Sequence, residues 1–121
     1  MTTIIDLQRI AEIQFSDIVL DTYLLEHKLR ITLIDLSFID VHVSQKLSDK
    51  FSFHWETKNA KGTIYRYDNF PDRDWSYLSS YPYHFHKGDQ NTVEVPPFPF
   101  EVLQGFVSFM EFVRNEINKS K

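Results

Sequence analysis

The spacing of apolar residues changes period several times along the chain, and each change marks an element. Ile4, Leu7, Ile10 and Ala11 recur at helical spacing, and Thr3 with Asp6 three residues on has the form of a capping box. A short helix over roughly residues 4–14 is predicted. From Ile18 to Leu25 the run is rich in β-branched and aliphatic residues. After Glu26-His27-Lys28 it is answered by Leu29, Ile31 and Leu33, which alternate with Arg30 and Thr32, the signal of a hairpin. Asp35-Leu36-Ser37 breaks the pattern with residues that hydrogen-bond their own backbone in turns. Ile39, Val41 and Val43, alternating with Asp40 and His42, begin a third strand. The polar stretch Gln45 to Lys50 reads as a connection to a fourth, in which Phe51, Phe53 and Trp55 alternate with Ser52, His54 and Glu56. Asn59-Ala60-Lys61-Gly62 supplies a turn with a residue that tolerates positive φ, and Thr63 to Asp68 returns as strand five.

Asn69 to Phe98 holds four of the five prolines, several aromatics and the pair His84 and His86, and is read as a long loop with at most short strands. Pro99 suits a first helical position, Glu101 favours the positive end of a helix dipole, and Leu103, Phe106, Val107, Met110, Val113 and Ile117 form a broad apolar stripe. The expected fold is α+β: an antiparallel meander of about five strands, packed by a short N-terminal helix and a long C-terminal one. A length of 121 residues supports one hydrophobic core, so a single domain over residues 1–121 is expected.

Composition sharpens this picture by exclusion. Aromatic residues make up 16% of the chain, a share that favours sheet. There is no cysteine, which removes disulfides, thiolate catalysis and cysteine-based metal centres. The N-terminus has no basic region followed by an apolar run, and no window approaches a membrane span, so a cytoplasmic address without membrane attachment is expected. A net charge of −4 gives no global pull toward nucleic acid, and any such role requires a local basic pocket. Three glycines could hardly build a phosphate cradle, and nucleotide-binding, zincin and serine-hydrolase motifs are all missing.

Strand alternation sets His54 opposite in face to Phe53 and Trp55, and Arg66 opposite to Tyr65 and Tyr67. A regular hairpin pairing residue 57 with residue 63 places His54 directly across from Arg66, with Asp68 on the same face. An imidazole that moves protons and a guanidinium that stabilises charge on phosphorus are the minimum kit for phosphodiester chemistry. The competing reading is a surface ion pair, Arg66 with Asp68, beside an ordinary strand histidine. His84-Phe85-His86 puts two imidazoles on one side of an extended segment, the geometry of two metal ligands. Spacing does not select a third among His54, Asp72 and Asp89, and the alternative is a histidine pair bonded to backbone. We take the site to use neither metal nor cofactor. His27 and His42 read as solvent-facing, and Asp17, Asp21, Asp35 and Asp40 as solvated or turn residues. Trp55, Tyr65 and Tyr67 suit base stacking, although aromatics within strands are more often core.

Phe51-Ser52-Phe53-His54-Trp55, then Gly62 and Tyr65-Arg66-Tyr67-Asp68-Asn69, then Tyr81-Pro82-Tyr83-His84-Phe85-His86, resemble the motifs of the TumE-type family of toxin–antitoxin proteins. Asp35-Leu36-Ser37 resembles its Asp-Gly-Ser turn. The resemblance covers about residues 18–117. It implies a cytoplasmic prokaryotic toxin neutralised by a helix-turn-helix antitoxin, with His54, Arg66, Asp68, His84 and His86 as candidate catalytic residues. Two positions depart from the pattern: Leu36 stands where the family often has Gly, and Tyr83 where it often has the first His of its loop. With RNA as substrate, whose 2′-hydroxyl is an internal nucleophile, His54 and either His84 or His86 would exchange the proton. Arg66 would hold the phosphate and Asp68 orient a partner, while Trp55, Tyr65, Asn69 and Tyr83 are the candidate substrate contacts. The alternative function is a non-enzymatic protein-binding domain. Convergence of Lys58, Lys61, Arg66, Arg73 and Lys87 on the histidines would favour RNA, and dispersal would favour protein.

Overall fold

The computed structural model describes residues 2–47, 49–57 and 62–119. Helix α1 spans Ile4–Gln14, and its N-terminus is closed by the expected capping box: the Thr3 hydroxyl accepts from the Asp6 amide and the Asp6 carboxylate from that of Thr3. There follow β1 (Val19–Leu24), β2 (Leu29–Leu33), β3 (Phe38–Val43), β4 (Phe51–Glu56) and β5 (Ile64–Asp68). A single 3₁₀ turn (Arg73–Trp75) leads to β6 (His84–Gly88) and β7 (Val93–Glu94), and α2 (Val102–Lys119) completes the chain. The strands form one antiparallel sheet in sequence order.

The sheet has seven strands where about five were expected. The two extra strands lie inside the segment read as a loop. His84-Phe85-His86 carries a period of two, with Phe85 on the apolar face and the histidines on the other, and pairs in register with Asp68, Tyr67 and Arg66. Prolines on both sides of so short an alternation hid it. The C-terminal helix also starts later than expected. Pro99 lies outside α2, its carbonyl accepting the Tyr67 hydroxyl at 2.7 Å, and the Glu101 carboxylate caps the amides of Leu103 and Gln104.

Alternation gives the sheet two unlike faces. Leu29, Ile31, Ile39, Val41, Phe51, Phe53, Trp55, Tyr67 and Phe85 are buried on one of them, against Leu7 and Ala11 of α1 and Phe106, Phe109, Met110 and Val113 of α2. The aromatic rings meet mainly edge to face, as Phe53 does Phe106 at 5.3 Å and Phe85 does Phe112 at 5.7 Å. Gly105 is required where α2 crosses this layer, because a Cβ there would lie 3.0 Å from both the Pro99 carbonyl oxygen and the Tyr67 ring. The other face carries Arg30, Asp40, His42, Ser52, His54, Arg66, Asp68, His84 and His86.

The turn from β2 to β3 contains the first departure from the family pattern. Leu36 is 62% exposed and adopts φ 72°, a left-handed conformation in which a Cβ is costly. Leu36→Gly removes that strain but gives the unfolded chain more freedom. We expect a net gain of about 0.5–1 kcal/mol, read as a higher melting temperature. A lower one would mean that the leucine side chain, not the backbone, holds the turn.

Candidate functional site

The site is a polar row laid across consecutive strands. Cα partners run Asp40 to His54, His54 to Arg66, and Arg66 to His86, so Arg66 on β5 stands between an imidazole on β4 and one on β6. The hairpin has the expected register, with the Thr57 amide donating to the Thr63 carbonyl at 3.1 Å. One position along, Asp68 pairs with His84. Residues 69–83 cross above this end of the row and bring the Trp75 ring to 5.7 Å from His86 and 6.5 Å from His84.

The two histidines of β6 have opposite hydrogen-bonding demands. His84 Nδ1 lies 2.9 Å from the Pro82 carbonyl and its Nε2 lies 3.4 Å from the Asp68 carboxylate, so both nitrogens face acceptors and the imidazolium is favoured. Burial opposes that charge, but the bond and attraction to Asp68 outweigh it and hold the His84 pKa above the ordinary histidine value. His86 Nδ1 faces the Gln90 carbonyl at 2.9 Å, whereas its Nε2 faces the Arg66 Nη2 at 3.1 Å. A guanidinium only donates, so Nε2 must keep its lone pair, and His86 is the neutral tautomer protonated at Nδ1. Burial, with Arg66 and His84 adding to it, holds its pKa below the ordinary value. Adjacent groups driven apart in this way are a recurrent feature of acid–base sites.

Arg66 is held loosely for a residue so placed. Its Nε lies 3.5 Å from Asp68 Oδ2, yet this buried nitrogen has no hydrogen-bond partner among the described residues. Asp68 spends its other oxygen on the Phe70 amide, at 2.9 Å, and on His84. His54 Nε2 is 3.2 Å from Glu56 Oε1. On the neighbouring strands Asp40 accepts from Arg30 Nε at 2.8 Å, Arg30 Nη2 at 3.0 Å and Lys28 Nζ at 3.0 Å. Burial works against the Asp40 charge, but these bonds outweigh it and its pKa is lowered. Asp40 is therefore the centre of a clamp, not the solvated residue expected from the sequence.

Asp68, His84 and His86 offer ligand atoms within 4.8 Å of one another, and both imidazoles are anchored through Nδ1 to backbone carbonyls, as metal-bound histidines commonly are. The acid beside the histidine pair is thus Asp68. Asp72 instead caps the 3₁₀ turn and Asp89 closes the β6–β7 turn. The set fits a cation poorly, because the Arg66 guanidinium occupies the His86 Nε2 lone pair and brings its own positive charge there.

The four candidate substrate contacts lie elsewhere. Trp55 is buried on the helix-facing side with its Nε1 donating to Ser37 Oγ at 2.9 Å, and Tyr65 stacks on it at 5.4 Å. Asn69 is fully buried, accepting from the Phe51 amide and donating to the Asp49 carbonyl, and so ties β4 to the end of β5. Tyr83 stacks on Phe100 at 4.8 Å and lines a cavity of about 680 Å³ with Asp6, Val43 and Leu103, on the apolar side of the sheet. Period-two alternation dictates this for Trp55 and Tyr65, whose neighbours His54 and Arg66 are in the row. A histidine at position 83 would not join His84 and His86, so that departure from the family pattern costs the row nothing. Among the described residues Arg66 is the only one of the expected cations in the row, so the convergence that would favour RNA is not met by them, with Arg73 exposed in the 3₁₀ turn. Lys87 faces the other way toward Glu94 at 3.7 Å, and Lys58 and Lys61 lie outside the described residues. Trp75, Lys28 and Arg30 take up the polar face instead. Trp75 had no signal beyond being an aromatic residue in a loop.

A family model described as Toxin TumE matches residues 4–117, nearly the whole chain and every residue of the row. The chain belongs to the TumE toxin family. It is accordingly the toxin of a toxin–antitoxin system, with an antitoxin as its partner. No curated protein and no solved structure matches it. Among the described residues no helix of this TumE family member is long and apolar enough to cross a membrane.

Proposed function

We propose that this TumE family toxin cleaves RNA in the cytoplasm by attack of a 2′-hydroxyl on the adjacent phosphate, and that a helix-turn-helix antitoxin restrains it. The observation that carries the reading is the position of Arg66 between His54 and His86. A phosphate seated on the guanidinium has an imidazole to either side, as in-line displacement needs one group at the entering oxygen and another at the leaving oxygen. His86 is the base. The phosphate takes over the Arg66 hydrogen bonds, which frees the His86 Nε2 to accept the 2′-hydroxyl proton. The 2′-oxygen bonds to phosphorus, the bond from phosphorus to the 5′-oxygen breaks, and His54 gives that oxygen its proton. A 2′,3′-cyclic phosphate and a 5′-hydroxyl result.

His84 is the weaker choice for the base, since both its nitrogens face acceptors, the Pro82 carbonyl and the Asp68 carboxylate, and it has no lone pair to take a proton, whereas His86 Nε2 keeps one. It braces Asp68, which lies beside Arg66. The approach to the row is from His54 and Arg66, whose side chains are 22% and 24% exposed.

The test is cleavage of a dinucleotide across the pH range by the purified toxin. Because the base must be unprotonated and burial, with Arg66 and His84, lowers the His86 pKa from 6.5 in the free toxin, kcat/KM rises with pH along an acid limb whose midpoint lies below 6.5. Cyclic phosphate product with that limb supports the scheme. An acid limb centred above 6.5, or loss of activity on exhaustive chelation, would overturn it.

A further inference from the structure

The polar row does not stop at the histidines. Continuing through the register, His54 pairs with Asp40, Asp40 with Arg30, and Arg30 with Tyr23 on the edge strand, so side chains of one face line up from β1 to β6. Neighbouring strands are about 4.8 Å apart, which sets Arg30 about 14 Å and Tyr23 about 19 Å from Arg66. We propose that this row is a track for single-stranded RNA crossing the strands, with the scissile phosphate at Arg66 and a second phosphate at the clamp of Lys28 and Arg30. The proposal rests on the ribonuclease reading of the same site.

Four features of the far end fit a nucleic-acid strand. Lys28 and Arg30 share the Asp40 carboxylate, two cations on one anion. Their side chains remain 37% and 36% exposed, so a phosphate reaches them without displacing the fold. The Arg30 guanidinium is fixed over the Phe38 ring, 4.1 Å from its centroid, and is thereby preorganised. Beyond it Tyr23 is half exposed on the same face, a platform for a base at the end of the row. At the near end, the Trp75 ring over His84 and His86 is the corresponding wall. Stacked nucleotides rise about 3.4 Å each, so the distance from Arg66 to the clamp corresponds to about four of them. A duplex is a poor fit, because the row reads one backbone and offers its aromatic rings to unpaired bases.

Binding of 2′-O-methyl oligonucleotides, which cannot be cleaved by this route, separates the track from the chemistry. Fluorescence anisotropy with strands of two, five and eight nucleotides is expected to show at least tenfold tighter binding from two to about five, and little gain beyond. Arg30→Ala and Lys28→Ala should each weaken binding of the eight-nucleotide strand several-fold and lower the salt slope by about 0.7, with dinucleotide binding unchanged. Tyr23→Ser, an exposed change that leaves the clamp intact, should weaken only the longer strands. Equal affinity at all lengths, equal affinity for a duplex, or tighter binding of a polyglutamate peptide, as for a face that fits an acidic protein, would overturn the track. Dinucleotide cleavage with no length dependence sinks the track alone. Length-dependent binding without cleavage upholds the track and sinks the chemistry.

Discussion

A toxin carrying His54→Ala and His86→Gln is expected to lose RNA cleavage and, with it, the ability to arrest growth of a bacterial host. General acid–base catalysis contributes about 10²–10⁴-fold, so either substitution alone should slow cleavage by about that factor. The double variant should be little worse than the slower single one, since an acid and a base that serve one displacement are not additive. The substitutions differ because the environments do. His54 is part of an open face, and alanine there removes little packing. His86 is 1% exposed, and glutamine keeps a side-chain oxygen that can accept from Arg66, which protects the fold while removing a titratable base. Single-turnover cleavage, growth on induction and thermal melting are the measurements. Arrest as strong as wild type from a folded double variant would mean that the toxin acts without this chemistry. His84→Gln is the informative contrast: as a brace for Asp68 it should change melting more than cleavage.

Arg66 gives the second large effect. Removing a single donor that stabilises developing charge costs about 10²–10³ in rate, and Arg66→Ala removes the whole fork, so a loss of at least that size is expected. Arg66→Lys tests whether charge alone is enough. A lysine is a point charge without the planar, paired donors that match a phosphate. We expect it to recover only part of the lost rate. Asp68 is already satisfied by the Phe70 amide and His84, so the fold should tolerate the change. A rate for Arg66→Lys equal to wild type would show that the guanidinium geometry is incidental, and Arg66 would then be a partner of Asp68 and no more.

The clamp at Asp40 shows why cation counting along a sequence misleads for this protein. The chain is acidic, and of the described cations expected near the histidines, Lys87 faces the opposite side of the sheet. Lys28 and Arg30 are far from His86 along the chain but share its face, because a meander sheet carries register from strand to strand.

The sequence by itself determined the two helices, the first five strands, the two-faced sheet and the pairing of His54 with Arg66, since each depends on local periodicity or on one short hairpin. It also carried the motifs by which the family is recognisable. What it could not supply were contacts between residues distant in sequence. Strand β6 pairs with the free edge of β5 and β7 with that of β6, and the short alternation around Phe85 acquires its meaning only beside Tyr67 and Arg66. The same pairing decided that His86 faces a guanidinium and His84 a carboxylate, and so which histidine is neutral. Tertiary structure likewise turned Trp55, Tyr65, Asn69 and Tyr83 into packing and bracing residues, and brought Trp75 over the row. Local pattern assigns a residue to a face, but the chemistry of that face is set by what the neighbouring strands place beside it.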